Sequence, residues 1–213
     1  MTEIQAQKLY QEILEMFLEF MNTDTKFVNP VSREAIEYFL AYWVPKYKQH
    51  LEPQESRYLL GVVSQIMDGA PQDENTPYTL QLLEIYKDEY VRLYSNKKLI
   101  ESLLKHPVIK YSPTIISLQN YQQYKKKQHK RDIAMIYDNG HFIVEELGHT
   151  GYILLRKMSL NKYYKVVFSP TLLTNFKIGD VLHITVRKKI FFEYWEIYDI
   201  STYYPKKALT YLF

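Results

Sequence analysis

The chain has 213 residues, 46% of them apolar and 15% aromatic, with six Gly, nine Pro, no Cys and a net charge of +3. That is apolar surface enough for a packed core in one domain or two, which argues against a disordered chain. The missing thiols exclude a disulfide framework, a thiolate zinc site and a cysteine nucleophile. No apolar run approaches bilayer length, and Glu3, Glu12, Glu15 and Glu19 argue against a secretory leader, so the expected setting is cytoplasmic, without membrane contact.

The first half reads as helices. Tyr10, Ile13, Leu14, Phe17 and Met21 fall at helical spacing on the first. Ser32 is placed to cap the second, with Val31 and Ile36 at the staple positions, and its stripe is Ile36, Phe39, Leu40, Trp43 and Tyr47. Pro45 should kink or end it. Pro53 suits the first turn of a third helix carrying Leu59, Val62, Val63, Ile66 and Met67, and residues 68 to 77 read as an acidic loop. Thr76 and Pro77 open a fourth helix through Leu80, Leu83, Tyr86, Tyr90 and Leu93. Asn96 reads as the cap of a short fifth, with Leu99, Ile100, Leu103 and Leu104, ending before Pro107. Each helix has one apolar face, so a compact bundle is expected over residues 1–106; no period repeats from helix to helix.

Residues 107–132 read as a linker whose end is basic through Lys125, Lys126, Lys127, Lys130 and Arg131. Residues 133–213 read as strands. Asp138, Asn139 and Gly140 resemble a hairpin turn between two β-rich runs. "GYILLRKM" and "YYKVVF" flank a turn near Ser159 to Lys162, Ser169 and Pro170 open a short helical turn, and residues 176 to 201 form a final hairpin. The fold expected is α+β: an N-terminal helical bundle followed by a small antiparallel β-barrel, OB-like, with an SH3-like barrel as the alternative.

Charge divides along the same line. Residues 1–110 hold 12 Lys/Arg against 16 Asp/Glu, and residues 111–213 hold 15 against 8. The basic half also holds 12 of the 21 Tyr, a combination suited to a single nucleic-acid strand, although an AT-rich coding sequence would produce the same composition.

Catalytic signatures are absent. None of the glycines has the spacing of a P-loop or a dinucleotide fingerprint, and neither HExxH nor GxSxG occurs, so an enzyme is the less favoured class and no cofactor is expected. His141, Glu145, Glu146 and His149 hold four potential metal donors in nine residues. Strand alternation brings only His141 and Glu145 to one face, which favours salt bridging over a metal site.

The final hairpin carries the functional expectation. Leu182, Ile184 and Val186 alternate with His183, Thr185 and Arg187, and on the second strand Phe191, Trp195 and Ile197 suit the core. That leaves Phe192, Tyr194 and Tyr198 to stack bases, with Arg187, Lys188, Lys189 and the run Lys125, Lys126, Lys127, Lys130 and Arg131 for phosphates. The function expected is non-enzymatic binding of RNA or single-stranded DNA. The alternative is a protein-interaction adaptor, in which Tyr42, Trp43 and Tyr47 help the helices bind a partner and the sheet's rings are sealed against the bundle.

Overall fold

The computed structural model describes residues 3–23, 27, 29, 31–69, 76–105, 135–149, 151–168 and 173–212. The helices are α1 (Glu3–Thr23), α2 (Arg33–Tyr38), α3 (Val44–Tyr47), α4 (Pro53–Gly69) and α5 (Thr76–Lys105), with a π-helical segment, Phe39–Trp43, joining α2 to α3. Ser32 caps α2 as expected, its hydroxyl accepting the Ala35 amide at 3.2 Å. Pro45 does not end the helix at that point. The backbone widens by one residue ahead of it, so that the Val44 amide reaches back to the Phe39 carbonyl. Pro45 has no amide to offer the Leu40 carbonyl, and the Tyr90 hydroxyl donates to that oxygen instead, at 2.5 Å.

The short fifth helix is also corrected. Residues 76 to 105 are one helix, and Asn96 lies buried inside it. Asn96 makes no cap; its amide donates to the Asn175 carbonyl at 2.8 Å, a bond made to the sheet half of the molecule.

Five antiparallel strands follow: β1 (Met135–Gly148), β2 (Tyr152–Lys157), β3 (Lys162–Val167), β4 (Val181–Lys189) and β5 (Glu196–Tyr204), in spatial order β3-β2-β1-β4-β5. The Asp138–Gly140 turn does not form. Those residues lie inside the continuous β1, where Asp138 faces inward and accepts from Lys157 and from the Tyr164 hydroxyl. Gly140 has a φ of +150°, and a Cβ there would meet Lys157 Cε at 3.1 Å, so the glycine makes room for the lysine stem that reaches Asp138.

The sheet is not closed into a barrel. Residues 190 to 194 form the tip of the last hairpin rather than strand, so β5 begins too late to build a ladder with β3. A single parallel bridge, Val166 to Trp195, joins the two edges, with the Trp195 amide on the Lys165 carbonyl at 2.8 Å and the Val167 amide on the Trp195 carbonyl at 3.0 Å.

One apolar core runs through both halves, from Phe17, Phe20, Phe39 and Trp43 in the helices to Phe142, Tyr164 and Trp195 in the sheet. At the junction, Arg92 of α5 makes a two-pronged bond to the fully buried Asp180 at 2.6 and 2.9 Å, and the Tyr203 hydroxyl donates to the same carboxylate at 2.6 Å. Complementary charges meet around it, Glu89 with Lys177 at 2.5 Å and Glu37 with Lys207 at 3.2 Å. Among the described helices none is long and apolar enough to cross a membrane.

Candidate nucleic-acid interface

The outward face of β1, β4 and β5 is built in rungs. Pairing sets Tyr137 opposite Arg187, Asn139 opposite Thr185 and His141 opposite His183, while Asp138, Gly140 and Phe142 point the other way. On β4 the inward residues are Leu182, Ile184 and Val186, all buried, in agreement with the alternation of the sequence.

On β5 strict alternation fails. The register slips by one residue between His183 and Ile184 and again between Thr185 and Val186, so that Ile197 and Ile200, three apart, both reach the core. Each slip leaves an extra β5 residue on the outer surface. The extra residues are Tyr198, whose ring lies under the Arg187 guanidinium at 4.9 Å, and Ser201, whose hydroxyl lies 2.9 Å from His183 Nδ1.

The result is a ring cluster at the hairpin end of the face. Tyr198 is 49% exposed and Tyr137 51%, and their rings meet edge to face at 5.3 Å. Arg187 is held there by Glu196 at 2.8 Å, which orients its plane over Tyr198 and offsets part of its charge. Lys188 extends over the buried Trp195 at 5.1 Å, and Lys189 over Phe192 at 5.5 Å. Ile190 adds exposed apolar surface at the tip, and Ile136, opposite Lys188, is exposed on the other side of the sheet.

The remaining expected site residues fall elsewhere. Phe192 and Tyr194 belong to the hairpin tip and are half-buried rather than arrayed on the strand beside Tyr198. Phe191, expected in the core, is 66% exposed, because it precedes β5 and takes no part in its alternation. Lys125, Lys126, Lys127, Lys130 and Arg131 lie outside the described residues. Tyr137 and Asn139 went unread as site residues because "YDNG" carries the chemistry of a turn. Their signal lay in the alternation of Tyr137, Asn139 and His141 into the strand that follows.

The helices cover the opposite end of this face. Tyr204 stacks on Tyr42 at 6.2 Å, and Lys46 donates to the Tyr42 hydroxyl at 2.8 Å. Of the other helical residues considered for a partner, Trp43 is buried in the core and Tyr47 is exposed.

His141 and His183 stack at 4.4 Å between these two ends. Burial, the neighbouring His183 and Lys46 push His141 down to about 4. Burial also lowers His183, against the pull of Asp199. The four-donor cluster read from the sequence does not converge: Glu145 pairs with Arg156 at 2.6 Å, Glu146 accepts from the Tyr152 hydroxyl at 3.2 Å, and no group of three or more ligand-type residues gathers among the described residues. A cleft of about 310 Å³ beside His50 and Tyr94 is lined by Lys97 and Lys98, but Glu101 and Glu52 already neutralise them.

No family model matches the chain, and no curated protein or solved structure matches it. Whatever is said of function therefore stands on this face alone.

Proposed function

We propose that the chain is a non-enzymatic nucleic-acid-binding protein that holds RNA or single-stranded DNA on the outer face of an OB-like sheet. The observation that carries this reading is the exposed pair Tyr137 and Tyr198 beside the Arg187 guanidinium, at the end of the face where Lys189 lies over Phe192 and Lys188, from the other side of β4, over Trp195. Unpaired bases stack on such rings, and ammonium groups hold the phosphates without demanding a sequence. The strand order, with β3 and β5 meeting in parallel at Val166 and Trp195, supports an OB-like assignment over an SH3-like one. In that architecture the loop between the last two strands is among those that contact oligonucleotides.

Within this reading Tyr137, Tyr198 and Phe192 take bases. Lys188 and Lys189 take phosphates, joined by the basic run at Lys125, Lys126, Lys127, Lys130 and Arg131, while Arg187 serves mainly to present Tyr198. The helices dock on the sheet and brace it through the shared core and the Arg92–Asp180 pair. A measurement of fluorescence anisotropy with labelled single strands tests the reading. Wild type should bind, and Tyr198→Ala should weaken binding by roughly 1–3 kcal/mol, the worth of one stacked base. Unchanged affinity in Tyr137→Ala, Tyr198→Ala and Phe192→Ala would reject this face. Recovery of a protein partner lost on Phe191→Ala, with no strand bound, would move the assignment to the adaptor.

A further inference from the structure

Between the ring cluster and the helical wall, β1 and β4 carry a run of hydrogen-bonding groups that stacking and charge leave unexplained, bordered on β5 by the exposed carboxylate of Asp199 opposite Thr185. Asn139 donates to Thr185 Oγ1 at 2.7 Å, one rung behind Tyr137 and Arg187. A further rung on, His141 and His183 lie ring on ring with only 17° between their planes, and Ser201 holds the second of them through Nδ1. From Tyr137 to His141 this run covers about 13 Å along the strand. It ends where Tyr204 approaches the His141 ring, 5.9 Å between centroids, backed by Tyr42 and Lys46. The track is therefore open at the cationic hairpin and stopped at the bundle.

We infer that Asn139, Thr185, His141 and His183 read the hydrogen-bonding edge of an unpaired base, so that the bound strand is selected by base identity and not by stacking and charge alone. The inference rests on the single-strand reading of the face and specifies what that face recognises. Its chemistry follows from the groups present. Carboxamide, hydroxyl and imidazole each offer donors and acceptors in fixed directions, the requirement for reading a base edge. A phosphate would instead call for free cations: Arg187, Lys188 and Lys189 lie at the hairpin end, and Lys46 at the bundle end is engaged by the Tyr42 hydroxyl and the Tyr42 and Tyr47 rings. The histidines do not supply them at pH 7: burial lowers both, His183 and Lys46 lower His141 further, and each neutral ring has one donor and one acceptor nitrogen. Ser201 is a positioning residue: its bond to Nδ1 fixes the ring and leaves Nε2 as the nitrogen offered to a ligand.

The test compares homopolymers of A, C and T (or U) about twelve nucleotides long, as DNA and as RNA, within the site size of an OB-like unit. Wild type should separate the best from the worst base by about tenfold or more, the discrimination expected of one good hydrogen-bonded contact. In Asn139→Ala/His183→Ala the spread should collapse to about threefold or less, with the salt dependence of binding unchanged, because no phosphate contact is removed. Thr185→Val with His183→Gln, which keeps the side-chain volumes, should give the same collapse if the first pair of changes disturbs the strand. A wild type that binds all bases within about threefold, or a spread surviving both double variants, overturns the base-reading role and leaves the single-strand interface standing. Failure of wild type to bind any strand overturns both.

Discussion

At the scale of the residue, most of the described tyrosines are structural. Tyr90 completes the hydrogen bonding of Leu40, Tyr94 donates to the Lys48 carbonyl at 3.1 Å, Tyr164 to Asp138, Tyr203 to Asp180 and Tyr211 to Glu37 at 3.3 Å. A tyrosine-rich composition thus reports internal polar satisfaction as much as stacking surface; among the described tyrosines, Tyr198 under Arg187 and Tyr47 under Lys46 are exposed with a cation over the ring, and Tyr137 meets the first of these edge to face. Tyr90→Phe removes the donor that Pro45 makes necessary and leaves a buried carbonyl unpaired. Urea unfolding should show a loss of about 1–3 kcal/mol, much more than Tyr198→Phe at the surface. The histidine pair gives a second prediction. His141 titrates at about 4 in the fold and near 6.5 unfolded, so protons favour the unfolded chain. Stability is complete above about 6.5 and falls as pH drops from there toward 4. Asp138 does not confuse this window: burial would raise its carboxyl, but Lys157 and Tyr164 outweigh that and hold it low, so its contribution is lost only in stronger acid. His141→Gln should flatten the decline between pH 6.5 and 5 in urea midpoints, and a nuclear resonance titration should find no protonation of His141 above pH 5.

At the scale of the element, the sequence was readable wherever one period ran unbroken and misled wherever a single residue did two jobs. The stripe of α4 and the inward triplet of β4 follow their expected periods, and Ser32 caps α2, whereas the buried face of α1 is Leu9, Ile13, Met16, Phe17 and Phe20, with Tyr10, Leu14 and Met21 of the expected stripe at its margin. Asn96 has the chemistry of a cap, yet it continues α5 because its amide is used across the molecule by Asn175. Asp138–Asn139–Gly140 has the chemistry of a turn, yet it continues β1 because Lys157 supplies the buried partner that Asp138 needs. Such partners are distant in sequence, so local propensity could not weigh them. The two slips of β5 were present as the spacing of Ile197 and Ile200, which fits neither a straight strand nor a helix, and they are what bring Tyr198 and Ser201 to the surface. Asp180→Ala tests the junction between α5 and the sheet. It leaves Arg92 partly buried and without its main partner, and should destabilise by about 3–5 kcal/mol in denaturant unfolding, whereas Lys177→Ala, an exposed pair member, should cost under about 1 kcal/mol.

At the scale of the whole molecule, the acidic and basic halves of the sequence serve two ends. Part of the complementarity is used internally, where Glu89 and Glu37 meet Lys177 and Lys207 and seat the helices on the sheet. The cations of the last hairpin are not used this way: Lys188 and Lys189 extend over rings at the end of the face farthest from the bundle. The bundle does not seal the rings of Tyr137 and Tyr198, and it closes the far end of the same face through Tyr42 and Tyr204. A face bounded on one side and cationic on the other defines a direction for a bound strand. The most direct measurement is the slope of log affinity against log salt for a single strand, in wild type and in Lys188→Ala/Lys189→Ala. Binding should be salt-sensitive, with a slope that becomes shallower by about 1.4 in the double variant, two phosphate contacts at about 0.7 each. Binding with an identical slope in both proteins, or no binding in wild type at low salt, would contradict this expectation.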